Sequence, residues 1–242
     1  MSQPIYGIRA ILEAVHAGKT IDKVMLLRGV ANPLIAELKG ACQEQNIPVK
    51  IVDEWGFKAY QNRNHQGAVA EMSPIEFQDL EAIVQAAFEA GQDPLILALD
   101  NITDVRNFGA ICRTAEVAGA HAVLIPAIGG AQVGEDAIKT SAGALNHLNL
   151  CRTESLVGSI SLLKESGLRI IACTEKTNKS LYDTELKGPC VLVMGSEDKG
   201  ISGSLLKMAD EKVSIPQYGK IESLNVSVAT GIALYEILRQ RT

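Results

Sequence analysis

Five short runs built almost wholly from apolar residues constrain this chain most: positions 95–99, 122–125, 170–173, 191–194 and 213–215. A strand with one wet face alternates apolar and polar. A strand buried on both faces reads as an unbroken apolar run, and such strands belong to parallel sheets. Helical stretches at 110–118, 135–145, 156–164 and 226–239 separate these runs. The expectation is an α/β domain, a parallel sheet with helices on both faces. In such sheets ligands bind beyond the carboxyl ends of the strands.

The chain before this domain has a different grain. It reads as helix 8–16, strand 23–27, helix 34–45, strand 49–52, short helix 55–60 and strand 67–72, a compact α/β unit of its own. Between the two lies a segment marked by Pro74 and Pro94, with apolar positions at helical spacing (Leu80, Ile83, Val84, Ala87, Phe88). The expected layout is therefore a small domain 1–73, an acidic linker 74–93 and a catalytic domain 94–242.

Charge supports that division. The net charge is −5. Residues 1–73 hold eight Lys/Arg against seven Asp/Glu, and 94–242 hold fifteen against sixteen. The excess lies in the linker, with Glu76, Asp79, Glu81, Glu89 and Asp93 and no base. Near-neutral flanking regions leave nucleic-acid binding open through local patches, without predicting it. Aromatics make up only 4%, which argues against an extended stacking platform for single-stranded RNA. The five cysteines form no C-x-x-C pair and read as reduced thiols of a cytoplasmic protein. No metal is expected, because the four histidines are scattered. No membrane span is expected, because no apolar stretch nears the roughly 20 residues that one needs.

Three segments follow the strand ends. After 95–99 comes Asp100-Asn-Ile-Thr-Asp-Val-Arg-Asn107-Phe-Gly109-Ala-Ile-Cys-Arg113-Thr114. Asn107 could cap a helix starting near Gly109, which puts Arg113 about one turn in. The helix dipole disfavours a cation there, so Arg113 reads either as a surface residue on a solvated face or as a phosphate or carboxylate ligand, and not as a helix stabiliser. After 191–194 comes Gly195-Ser-Glu197-Asp-Lys-Gly200, a tight polar turn that lacks the Walker lysine. It could be a purely structural turn, or its glycines could admit a ligand close to backbone N–H groups. After 213–215 comes a long loop ending in Ser223-Leu224-Asn225, where Ser223 or Asn225 is a natural N-cap for the last helix. No G-x-G-x-x-G follows the first strand of the domain, so a nicotinamide-dependent oxidoreductase is disfavoured.

Taken together, these residues resemble the three signature motifs of the SpoU/TrmH group of SPOUT RNA ribose 2′-O-methyltransferases. The first is Asn107-x-Gly109-Ala-x-x-Arg113-Thr-Ala, and the second is Met194-Gly-Ser-Glu197-x-x-Gly200. The third is Ile215-Pro216-x-x-Gly219-x-x-x-Ser223-Leu-Asn225-Val-Ser-Val-Ala. The small domain is similar to the family's L30e-like RNA-binding domain, through Tyr6-Gly-Ile and Asn64-His65-Gln66-Gly67. One departure is Val105, where many members carry Pro.

The resemblance implies a parallel sheet with a carboxyl-terminal trefoil knot, S-adenosylmethionine as methyl donor, an RNA substrate and a homodimer. The nearest group methylates a guanosine ribose of 23S ribosomal RNA; a tRNA ribose methyltransferase or a non-catalytic ribosome-assembly protein is the alternative. By the same resemblance Gly195, Ile215, Leu224 and Thr174 hold the methyl donor. Arg113 activates the ribose hydroxyl, while Asn107, Glu197, Ser223 and Asn225 orient Arg113 and the ribose. A guanidinium is a poor base, so Arg113 is expected to grip a phosphate and stabilise charge on the 2′-oxygen.

Overall fold

The structure, a computed structural model, describes residues 4–30, 32–221 and 223–242. These form two compact units. One holds the described residues through Glu76 together with Val133–Glu135; the other holds Phe77–Gln132 and Asp136–Thr242.

The small unit runs β1 (Ile5–Tyr6), α1 (Ile8–His16), β2 (Ile21–Leu27), α2 (Leu34–Glu44), β3 (Val49–Val52), a 3₁₀ helix (Glu54–Tyr60) and β4 (Ala68–Met72). Its sheet order is β1-β4-β2-β3, with β2 and β3 parallel and β4 antiparallel to both β1 and β2. Strand alternation decides its layers. Val24, Leu26, Ala68 and Ala70 join a core with α1 and α2. Met25 and Val69 point the other way, into a second cluster closed by Phe57 of the 3₁₀ helix. α1 buries Ile8, Ile11, Leu12 and Val15, one helical stripe. The two-residue β1 was absent from the sequence reading because so short a strand has no period to detect.

The large unit begins with α3 (Leu80–Glu89). This is the acidic stretch, and its Asp79 side chain caps it by accepting from Glu81 N and Ala82 N. Its apolar stripe packs on the large unit's core, with Val84 buried and Leu80 and Ile83 against it. There follow β5 (Leu95–Asp100), α4 (Val105–Val117), β6 (Ala122–Pro126), α5 (Glu135–Thr140), β7 (Leu150–Thr153), α6 (Leu156–Glu165), β8 (Arg169–Cys173), β9 (Cys190–Gly195), α7 (Gly203–Met208), β10 (Glu211–Val213) and α8 (Val226–Arg241). The six strands are parallel, in the order β10-β8-β9-β5-β6-β7.

Alternate strand residues divide between the faces. Ile96, Ala98, Leu124, Ile170 and Val191 share a core with residues of α3, α6 and α7. On the other face α8 lies against β9, and α4 packs along α8.

β7 and α7 are not among the elements expected from the sequence pattern. The run at β7 is broken by Arg152, which lies over the Phe77 ring, 3.9 Å from its centroid. α7 is only six residues long. The third strand end also differs from expectation: β10 stops at Val213, so Ile215 lies in the loop and not in the strand.

The end of α8 is tied to the start of the sheet. The Arg241 guanidinium donates to the carbonyls of Asp93 (2.8 Å) and Gly188 (2.6 Å). Beside it His121 accepts from Leu95 N at 3.1 Å through Nδ1 and meets Gln92 Oε1 at 3.1 Å through Nε2. Burial, with the nearby Arg241 charge, lowers the imidazole's pKa.

Candidate functional site

The motif segments gather at the carboxyl ends of β5, β8 and β9. Asp100, the last residue of β5, is buried, and its Oδ2 accepts from Ser202 N at 2.6 Å. It stands in register with Gly195 at the end of β9. The chain then turns through Ser196 to Gly200, closed by Gly200 N donating to Ser196 O at 2.8 Å. Gly200 has φ +65, and a Cβ on Gly195 would overlap the Gly200 backbone. These glycines are thus required by the turn itself, whatever else they serve. In the sequence, the one signal for Asp100 is an acid that ends an apolar run.

Asn225 links all three segments. It caps α8, its Oδ1 accepting from Ser227 N at 3.0 Å and Ser227 Oγ at 2.5 Å. Its Nδ2 donates to Asn107 Oδ1 (3.0 Å) and to Glu197 Oε1 (2.8 Å). The two amide hydrogens and the amide oxygen are all engaged, so the amide is fixed in one orientation. Glu197 Oε1 also accepts from Val226 N at 3.0 Å, which sets a carboxylate at the positive amino end of α8.

Beside this network opens a cavity of about 320 Å³, lined among others by Thr174, Gly195, Glu197, Ile215, Ser223 and Leu224. Apolar Met194, Val226 and Ala229 share its wall with polar Glu175, Ser196 and Gln217. Cys173 also lines it. Burial, helped by the Glu175 charge, pushes its thiol up to about 12, so it is protonated at neutral pH and a weak nucleophile.

Two sequence expectations about the first motif need correction. The helix does not start near Gly109. Its cap is Asp104, whose Oδ1 accepts from Asn107 N at 2.8 Å, and Val105 is its first residue. Proline is favoured at that position, so Val105 departs from the family pattern without changing the helix start. Asn107 is therefore in the first turn and not the cap, which frees its side chain for Asn225. Arg113 lies more than two turns in, beyond the reach of the dipole argument made for it.

Arg113 is also apart from the cavity. Gly109 lets α4 approach Thr140 so closely that a Cβ there would overlap the Thr140 hydroxyl. Arg113, four residues on and so on the same face of α4, lines a separate cleft of about 280 Å³ with Glu116, Val117, Gly143, Asn146 and His147. It is exposed, and among the described residues its side chain has no hydrogen bond or ion pair. The structure thus brings Asn107, Glu197 and Asn225 together beside the cavity that Ser223 lines, and leaves Arg113 outside. No cluster of potential metal ligands occurs among the described residues.

Comparison with known proteins gives these findings. Residues 94–235 match the SpoU rRNA Methylase family, and residues 4–78 match a family described as RNA 2'-O ribose methyltransferase substrate binding. The chain is 36% identical over 242 residues to the 23S rRNA (guanosine-2'-O-)-methyltransferase RlmB of Pseudomonas aeruginosa, covering 99% of this chain and 97% of that protein. To the enzyme of the same name from Escherichia coli it is 32% identical, over 100% of both. Among solved structures, the SpoU methyltransferase AviRb from Streptomyces viridochromogenes, in complex with AdoMet, superposes with a TM-score of 0.61 over 98% of this chain and 89% of that one. At 24% identity this last likeness concerns the fold.

Proposed function

Since the chain belongs to the SpoU rRNA Methylase family, we propose that it methylates the ribose 2′-hydroxyl of a guanosine in 23S ribosomal RNA, using S-adenosylmethionine. The observation that carries this reading is the placement of Asn225. Its amide joins Asn107 and Glu197 at the edge of an open cavity lined by Gly195, Ile215, Leu224 and Thr174. The cavity suits the methyl donor: it is of small-molecule size, with an apolar wall for a base and polar groups for a ribose and an amino-acid moiety. When bound, S-adenosylmethionine supplies an electrophilic methyl group to the ribose oxygen.

The protein's own part is positioning. Glu197, with its carboxylate held by Asn225 Nδ2 and Val226 N, fixes the wall nearest the ribose. Ser223 and Asn107 give further polar contacts for the sugar. Arg113 holds the adjoining RNA phosphate and offsets charge as the 2′-oxygen loses its proton.

The position of Arg113 outside the cavity fits a homodimer in which a cavity is completed by a second copy's Arg113. Val117 on α4 and Val228 and Tyr235 on α8 leave apolar surface exposed on that helix pair, as an interface would require. The return of the chain from β10 at one sheet edge, past the Gly195–Gly200 turn, to α8 on the opposite face from α7 is read as the family's trefoil knot. The amino-terminal unit is read as its L30e-like RNA-binding domain, joined by 74–93 to a methyltransferase domain 94–242. With a ribosomal RNA substrate, the enzyme is read as cytoplasmic.

The test uses unmodified 23S ribosomal RNA, labelled S-adenosylmethionine and mapping of the methylated nucleotide. Arg113→Ala is expected to cut transfer by roughly 10²–10³-fold while calorimetry still shows donor binding. Near-normal turnover of that variant would remove Arg113 from the reaction, and label in a base instead of a ribose would overturn the assignment.

A further inference from the structure

The small unit displays the chain's one tryptophan almost entirely to solvent: Trp55 is 83% exposed. Isolated apolar residues on a surface are ordinary. This one differs in how firmly it is presented. Trp55 stands on the 3₁₀ helix Glu54–Tyr60, and two residues on, Phe57 is 3% exposed and packed with Met25 and Val69. Tyr60 is fastened at the other end, its hydroxyl donating to Glu71 Oε1 at 2.9 Å. A Cβ on Gly56 would come within 2.9 Å of Val52 Cβ, so the helix lies hard against the end of β3. His65 adds a ring 4.8 Å from that of Phe57. The backbone that carries the indole is thus anchored on both sides of Trp55.

Its location is equally specific. β2 and β3 run parallel and end together, Leu27 opposite Val52, while β4 runs back from Ala68 opposite Leu26. The segments after β2, after β3 and before β4 therefore meet at one end of the sheet. They carry Arg28, Lys58 and Arg63, all exposed, against Asp53 and Glu54. Arg28 is bridged to Asp53 at 2.8 Å, which fixes one cation beside the start of the tryptophan helix.

We propose that Trp55 is a stacking platform for an unpaired RNA base, with Lys58 and Arg63, cations unpaired among the described residues, meeting the flanking phosphates. Every base offers a π-face, and an exposed indole on an anchored helix, with neighbouring cations, suits it without sequence readout. This rests on the reading of the chain as an RNA methyltransferase. It supplies a specific contact for the small unit, distinct from the reacting site.

Because Trp55 is the only tryptophan, its fluorescence reports this position alone. Titration of the full-length protein with unmodified large-subunit ribosomal RNA should quench that emission, whereas blunt RNA duplex should leave it nearly unchanged. Trp55→Ala should raise the KM for RNA about tenfold while the kcat and the dissociation constant for S-adenosylmethionine hold, and Trp55→Tyr should recover most of the loss. An unaltered RNA KM in Trp55→Ala, or saturating methylation without quenching, would overturn the proposal. Quenching by ribosomal proteins but not by free RNA would overturn it too, in favour of a protein partner. Quenching without methylation would sink the assigned reaction and leave the platform standing; failure of both would remove both.

Discussion

The two ends of α4 are built for different states of the molecule. In its first turn Asn107 is locked to Asn225, and Asn225 to Glu197, by hydrogen bonds of 2.8–3.0 Å. In its third turn Arg113 is exposed and has no partner among the described residues. One helix therefore carries a finished contact and an open one. Polar groups that fix a ligand are best preorganised, because ordering them at binding costs free energy. A guanidinium meant for a phosphate is best left free, because a resident carboxylate would compete for it.

The largest effect expected from breaking this contrast lies on the finished side. Gly195→Val would drive a branched side chain into the Gly200 backbone. It should abolish measurable donor binding in calorimetry and lower the melting temperature sharply; retained binding would mean that the turn is not needed in its present form. On the open side, Arg113→Ala should cut turnover by roughly 10²–10³-fold. It should also leave the melting temperature within about a degree or two, since a surface residue without partners contributes little. A melt lowered by many degrees would show that Arg113 has a structural partner in solution and erase the contrast.

Asn225→Asp is milder. It places a carboxylate where an amide now donates to Glu197 at 2.8 Å, leaving two acceptors facing each other. Because the contact is exposed, a loss of about 0.5–1 kcal/mol is expected, a few degrees in the melt, and Glu197→Gln in the same chain should restore part of it. No restoration would show that the two side chains are not coupled.

The smallest effect separates site from scaffold. His121 has a lowered pKa in the folded chain, so the unfolded chain takes up its proton first as pH falls. Its contribution to stability should be complete above the ordinary imidazole pKa of 6.5 and fade as pH drops below it. Comparing melts at pH 8 and pH 5.5, His121→Gln should show a shallower pH dependence than the parent. Equal slopes would exclude His121 as the titrating group.

Much of the architecture could be read from the sequence because burial on both faces leaves an unmistakable trace. The runs at β5, β6, β8 and β9 needed only their apolar residues. β7 was hidden because Arg152 interrupts it, and α7 because six residues give too few turns for a stripe. At the site, the identity of Asn107, Glu197 and Asn225 as a group was visible only through motif resemblance. Their mutual hydrogen bonds join positions 118 and 28 residues apart, which no local pattern encodes. The cap of α4 was misplaced for a definable reason: Asp104 and Asn107 are both good caps, and the three-residue choice between them moved Arg113 from near one turn to more than two. Trp55 shows the limit of composition. Few aromatics argued against an extended platform for RNA, yet a single well-supported ring needs no abundance.

The grip of Arg241 on Asp93 and Gly188 has a consequence for modularity. It cinches the point where the chain enters the parallel sheet, using a residue from the far end of the sequence. The large unit's last helix thereby fastens the entry to β5, just after α3. An evolutionary exchange of the amino-terminal unit, or a graft in the laboratory, has its natural seam earlier, between Glu76 and Phe77, so that α3 stays with the core it packs on. A substitution at Arg241 would loosen the start of β5 and leave that seam where it is.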